Sequence, residues 1–141
     1  MVKKILVAFD DSPKSREAFD FALEMGSACK PGPSVVILSV IQPPESLYFV
    51  EMGDAVNEAT RHFEQVHKEL EEKARAKNLM VTSDIQVGHP ASMIVKTARD
   101  KNCDMIVVGH QGRSEVMGGL FLGSVSRKVA SDAHCSVTII K

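Results

Sequence analysis

Short apolar runs punctuate this chain of 141 residues, and stretches with helical spacing lie between them. The first run, Ile5-Leu6-Val7-Ala8-Phe9, carries no polar residue and predicts a central strand buried on both faces. Asp10-Asp11 ends it. Ser12 and Pro13 then read as N-cap and first helical residue. Ala18, Phe21, Ala22, Met25, Ala28 and Cys29 mark the inner face of the helix that follows, and Pro31-Gly32-Pro33 stops it. Val35 to Ile41 predicts the second strand, closed by Pro43-Pro44. From Glu45 to Met52 no period is visible. With Tyr48 and Phe49 this segment is either a flap over a site or a satellite of packing.

Gly53-Asp54 opens a long helix with Val56, Ala59, Phe63, Val66, Leu70 and Ala74 along one stripe. Glu64–Lys68, Glu69–Lys73 and Glu71–Arg75 stand four apart with the acid first. Each such pair adds about 0.2–0.5 kcal/mol to an isolated helix, so this is a solvated face. His62 and His67 are five apart and do not share a face as zinc ligands at i, i+4 would. Met80 to Val87 alternates apolar with polar and predicts a strand less buried on one face. Gly88-His89-Pro90 turns into a helix that faces the sheet with Ile94, Val95 and Ala98. Met105-Ile106-Val107-Val108 is the fourth strand. Val125, Val129, Ala130 and Ala133 then have helical spacing, and Cys135 to Ile140 is the fifth strand.

Strands alternating with helices predict a parallel sheet covered on both faces, in one domain over residues 1–141. In such sheets ligands bind beyond the carboxyl ends of the strands. Asp10 stands at such an end, and so does the glycine stretch that follows the fourth strand. There Gly109 and Gly112 come first, and Gly123-Ser124-Val125-Ser126 opens the last helix. Glycine lets a backbone approach a ligand closely. A helix N-terminus presents N–H groups and partial positive charge to an anion. Ser124 and Ser126 add hydroxyls, and Arg113 is the cation inside the stretch. The pattern is a candidate phosphate cradle. It is neither a P-loop, which needs Gly-Lys-Ser/Thr, nor G-x-G-x-x-G.

Composition narrows the function classes. Net charge is −1 and aromatics are 5% with no Trp, which favours neither a nucleic-acid partner nor a base-stacking platform. No apolar run reaches the roughly 18 residues that span a bilayer, and no secretory leader is visible. Cys29, Cys103 and Cys135 lack metal-type spacing and read as buried thiols in a reducing cytoplasm. No pair of side chains is spaced to suggest catalysis, and no metal ligand set is visible.

Gly109-x-x-Gly112 followed by Gly123-Ser124-Val125-Ser126 resembles the ATP-binding signature of the universal stress protein family. The resemblance extends over the whole chain, through Lys4 to Ser12, Gly88-His89-Pro90-Ala91 and His134-Cys135-Ser136-Val137. Ten residues, rather than the usual nine, separate Gly112 from Gly123. His110-Gln111 stands where Ser-His or Ser-Arg is commoner, and Ser136 replaces a usual proline.

The resemblance implies a doubly wound α/β fold of the adenine nucleotide alpha hydrolase type. Its sheet has five parallel strands in order 3-2-1-4-5 with helices on both faces. It implies ATP, with or without Mg2+, held near Ala8, Asp10, Val40, Val108, Gly109, Gln111, Gly112, Gly123, Ser124, Val125 and Ser126. Asp10 would face the adenosine portion, and Val40 would wall the adenine. It also implies a cytoplasmic homodimer joined through the C-terminal strand Val137-Thr138-Ile139-Ile140, acting as a stress-response regulator or sensor. The alternatives are a dimeric adaptor of the same fold without nucleotide and, further off, a slow ATPase or nucleotidyl transferase. His110 or Gln111 could orient a water for slow hydrolysis, although a loop side chain in solvent is the commoner state. Neither a nucleic acid nor a membrane is an expected partner.

Overall fold

The strand Lys4–Ala8 (β1) is the middle of the sheet because both of its faces are apolar. Ile5, Leu6 and Val7 are fully buried. The computed structural model describes residues 1–43, 49–110 and 123–141. Pro13–Ser27 (α1), Ser34–Ile41 (β2), Phe49–Ala76 (α2), Val81–Val87 (β3), Pro90–Asp100 (α3), Met105–Gly109 (β4), Ser124–Asp132 (α4) and Ser136–Ile140 (β5) follow in chain order. All strand pairings are parallel, in the order β3-β2-β1-β4-β5. This is the expected doubly wound α/β arrangement.

Alternation along β1 assigns its residues to two cores. Ile5, Val7 and Phe9 join Val35, Ile37, Phe19, Leu23, Phe63, Val66 and Leu70 under α1 and α2. Leu6 and Ala8 join Val36, Leu38, Ile94, Ala98, Ile106 and Val129 under α3 and α4. After β3 the chain returns across β1 to lay down β4 on its other side, with Ile5 level with Met105 and Val7 level with Val107. The carboxyl ends of β1 and β4 therefore lie side by side where the winding reverses, which opens a crevice. The outer strands are the less buried ones: β3 exposes Thr82, Ser83 and Val87, and no residue of β5 is fully buried.

Three local expectations are corrected. The inner face of α1 is Ser15, Ala18, Phe19, Ala22, Leu23 and Gly26, while Phe21 is 37% exposed. Residues two apart point to different sides of a helix, so Phe19 and Phe21 cannot both face inward. Burying Phe19 brings Leu23 in one turn later. It also sets Gly26 so close to Leu79 that a Cβ there would stand 3.1 Å from Leu79 Cδ1. The helix α2 begins at Phe49, ahead of Gly53. Of the three expected ion pairs on α2, only Arg75–Glu71 closes, at 3.1 Å. The other Glu71 oxygen accepts from Ser83 Oγ at 2.5 Å, which ties α2 to β3.

Cys103 is buried, and burial pushes its thiol up to about 11. Cys135 is part-buried and Cys29 is exposed, which corrects the expectation of three buried thiols: Cys29 lies past the end of α1, in the connection to β2. No helix among the described residues is long and apolar enough to cross a membrane.

The corrected face of α1 gives a direct expectation. Phe19→Ala should lower unfolding free energy by about 3–5 kcal/mol, while Phe21→Ala should cost about 1 kcal/mol or less. Urea denaturation of both variants checks this, and equal losses would mean that α1 is rotated.

Candidate functional site

The turn between β1 and α1 is built from short polar side chains that fold back on the backbone. Asp10 Oδ1 accepts from Ser12 N at 2.9 Å, closing an Asx turn. Asp11 takes the left-handed region at φ 67°, which Asp tolerates better than most residues. Ser12 caps α1: its Oγ accepts from Ser15 N at 3.2 Å. Ser15 Oγ donates to Ser12 O at 2.9 Å and accepts from Asp10 N at 3.3 Å. Asp10 is thereby oriented at the mouth of the crevice. Asp11 points elsewhere, pairing with Arg16 of α1 and with His62 Nε2 of α2, the latter at 2.9 Å. Burial acts to raise the Asp11 pKa, but hydrogen bonds and charge from His62 and Arg16 outweigh it and hold the carboxyl below its usual range.

A buried polar chain fixes the end of β1 from behind. Ser39 Oγ donates to Phe9 O at 2.6 Å, so it accepts from His67 Nε2 at 2.7 Å. This assigns the ring proton to Nε2. Ser39 is fully buried and His67 is 2% exposed. The ring of His67 stands edge-on to Phe9, centroids 6.3 Å apart, and near Phe63 at 6.1 Å. Burial lowers the His67 pKa, against the opposing charges of Glu71 and Asp84. The two histidines of α2 thus serve different faces: His62 reaches the β1–α1 turn and His67 the core.

The opposite wall comes from β4 and α4. Gly109 sits where α1 presses on β4: a Cβ there would stand 2.9 Å from Lys14 Cβ and 3.0 Å from the Lys14 carbonyl carbon. This close approach by itself requires glycine. His110 continues the β4–β5 ladder, its N–H donating to Ile140 O at 2.7 Å. Its carbonyl accepts from Gly123 N at 2.9 Å and from Ser126 Oγ at 3.0 Å. Gly123 is the N-cap of α4 at φ −65° and ψ 162°, a conformation open to any residue. Its carbonyl accepts from Arg127 N at 3.0 Å. Val125 and Ser126, in the first turn, have no intrahelical acceptor for their N–H groups.

Between these walls lies a cavity of about 330 Å³, at the lower end of the roughly 300–1,000 Å³ of small-molecule sites. Ala8, Val40, Val108 and Val125 supply apolar surface to it. Asp10, Gly109, Gly123 and Ser126 also line it. Eight of the eleven residues singled out from the sequence are therefore brought together. Ser124 is exposed and does not line the cavity. Gln111 and Gly112 lie outside the described residues, as does the 45–48 part of the segment after β2.

Two roles change. Ser126 is 2% exposed and its hydroxyl joins α4 to His110 and Gly123, so it is a structural donor. His110 is 6% exposed and lines the cavity, because pairing with Ile140 holds it in the sheet rather than in solvent. Ala59 and Phe63 of α2 also reach the cavity. Their helical spacing shows that they face inward, but not what they face. No group of three or more His, Cys, Asp or Glu suited to a metal exists among the described residues.

The profile of the universal stress protein family matches residues 1–141. A universal stress protein from Thermus aquaticus, described by its place in a QAH/OAS sulfhydrylase 3′ region, is 31% identical over 150 residues, covering all of both chains. The structure of MJ0577 from Methanocaldococcus jannaschii superposes with a TM-score of 0.89 at 27% identity, covering 100% of this chain and 96% of that one. A universal stress protein crystallised in complex with cAMP superposes with a TM-score of 0.72 at 26% identity, covering 99% of this chain and 96% of that one.

Two predictions follow from the buried contacts behind the cavity. The folded His67 pKa lies below the ordinary value of 6.5, so unfolding takes up a proton as pH falls below that value. His67 therefore contributes a stability loss that is absent above about pH 6.5 and grows as pH drops toward the folded pKa. The variant His67→Leu should be about 1–3 kcal/mol less stable at neutral pH, because Ser39 loses its donor, yet show a flatter decline from pH 7 to 5. Urea unfolding across that interval measures both; parallel slopes in the two proteins would refute the assignment. Independently, Gly109→Ala should destabilise by about 1–3 kcal/mol with or without any ligand, since its Cβ meets main-chain atoms of Lys14. Thermal unfolding of the ligand-free variant shows it.

Proposed function

The chain belongs to the universal stress protein family, and we propose that within it this protein binds ATP in the crevice between β1 and β4 and acts as a nucleotide-responsive regulator. The observation that carries this reading is the division of the cavity. One part is apolar, with Ala8, Val40 and Val108 at the strand ends, and suits a flat base. The other part is glycine backbone beside the first turn of α4, and suits phosphate. Asp10 stands on the β1 side, where a ribose hydroxyl would find an acceptor. The cAMP complex of a relative 26% identical supports an adenine nucleotide as the ligand class. A magnesium ion would arrive on the phosphates, as this ion usually does.

The reading includes one domain over residues 1–141, a cytoplasmic location and a homodimer through β5. Among the described residues β5 lies at a sheet edge and pairs with β4 alone, with part-buried Val137, Thr138, Ile139 and Ile140 along it. Such an edge is a liability unless something covers it, and a second copy across a two-fold axis would do so.

One observation favours the alternative, an adaptor without nucleotide. Gly109 and Ser126 have structural reasons for their identity that need no ligand. Binding separates the two readings. ATP at about 100 Kd should stabilise the protein by roughly 2.7 kcal/mol and raise its melting temperature by several degrees. Gly123→Val should abolish that rise, and φ −65° imposes no backbone strain on the new side chain. A melting curve unmoved by millimolar ATP selects the adaptor, and a shift retained in Gly123→Val moves the phosphates elsewhere. Circular dichroism reports the fold of the variant in the same experiment.

Assembly has its own test. At micromolar concentration the protein should sediment at twice its 15.4 kDa mass. A species at the monomer mass would refute pairing through β5.

A further inference from the structure

His110 occupies a place that the nucleotide reading leaves unexplained. Side chains alternate along β4, and the Cβ direction of Gly109 runs into Lys14 of α1. Val108 and His110, one residue to either side, therefore stand on the other face, toward α3 and α4. The backbone of His110 is held by Ile140 O on one side and by Gly123 N and Ser126 Oγ on the other. It thus stands at the junction of β4 with the first turn of α4, and it lines the cavity while only 6% exposed. A buried imidazole needs hydrogen-bond partners, and a charged one needs an anion.

Charge in the described wall of the cavity singles out this residue. Among the described lining residues Asp10 and His110 are the titratable ones, and none is Lys or Arg. Of the charged and titratable groups on the elements around His110, on α3 Lys96 pairs with Asp100 at 2.7 Å, Arg99 is exposed, and His89, at the helix N-cap, stands 3.5 Å from Gln42 Nε2. On the β1–α1 side, Asp11 is paired with Arg16 and His62, and Lys14 with Glu17. On α4, Arg127 is exposed and Lys128 lies 3.9 Å from Asp132; Lys141 follows β5 and is exposed. In the described wall, positive potential for a phosphate comes from the α4 N-terminus, equivalent to about half a charge, and from His110 when protonated.

We propose that His110 is the proton-dependent phosphate contact of this cavity, so that affinity for phosphorylated adenosine rises as pH falls through the imidazole range. The inference rests on the nucleotide reading above and adds a regulation to it: the occupied fraction follows pH. Imidazole is the side chain whose charge changes between about pH 5 and 8. A bound phosphate favours the charged ring, and a ring pKa raised by one unit corresponds to tenfold in affinity between the two protonation states. Adenosine, which lacks the anion, should feel no such change.

Calorimetric titration of ATP and of adenosine into the wild type and His110→Asn, at several points between about pH 5 and 8, tests this. The wild type should bind ATP about tenfold more tightly at the acid end, beyond any change that the variant shows. Protonation of ATP itself contributes equally to both proteins and cancels in the comparison. For adenosine the ratio of the two proteins' affinities should stay constant across the pH range, whatever its value. An ATP affinity with the same pH dependence in both overturns the role of His110 and leaves nucleotide binding standing. No binding of ATP by the wild type at any pH overturns the nucleotide reading and this one with it. Should the variant fold poorly, an NMR titration of the His110 ring in the wild type decides: ATP should raise its midpoint, and an unmoved midpoint refutes the proposal.

Discussion

The burial of β1 on both faces is the constraint from which the cavity follows. A strand with Ile5 and Val7 on one face and Leu6 and Ala8 on the other needs a helical layer on each side. A chain that supplies two layers with right-handed crossovers must wind outward in one direction and return to wind in the other. The return happens at β1, so the helices that follow β1 and β4 lie on opposite faces of the sheet, and space is left between the two strand ends. The crevice is a consequence of winding. Its chemistry depends on which residues end the two strands.

Those ends are held by polar groups drawn into apolar surroundings. The His67–Ser39–Phe9 chain links α2 to the carboxyl ends of β2 and β1, and each member satisfies the next. Removing one partner would leave a buried polar group unpaired, which costs more than the bond itself contributes. The network is therefore a means of placing Phe9, and with it Asp10, more than a source of net stability. The Asp11–Arg16–His62 cluster does similar work nearer solvent, where the pairing is weaker and salt-sensitive. Together the two clusters join α1 and α2 to the same turn, so a displacement of either helix would reach the residue at the cavity mouth.

The strands β1 and β4 were legible in the sequence because a parallel strand buried on both faces has no polar position to confuse its limits. The helix faces were legible only where one stripe dominates. On α2 the stripe from Phe63 to Ala74 is unambiguous. On α1, Phe19 and Phe21 compete, and depth in the core, which periodicity does not encode, decides between them. Site residues at strand ends, such as Asp10 and Val40, were accessible through topology. Ser39 and His67 were not, being 28 residues apart on different elements. Neither was the burial of His110, which depends on the register that sets Gly109 level with Ile140.

Glycine in a loop invites a ligand explanation, and the two described glycines of the motif show why each needs its own argument. Gly109 is demanded by the fold, since Lys14 occupies the space of its Cβ; a protein of this architecture that bound nothing would need it as much. Gly123 is different. Its dihedral angles suit any residue, and helix N-caps favour Ser, Thr, Asp or Asn, whose side chains would cap the first turn. Neither conformation nor capping calls for glycine there. In the proposed nucleotide complex an anion drawn close to the main chain at the start of α4 would favour glycine, because a side chain would stand in its way. Gly123, buried at the start of α4 with unstrained dihedral angles, is thus the position of the motif where a substitution tests the ligand without straining the backbone.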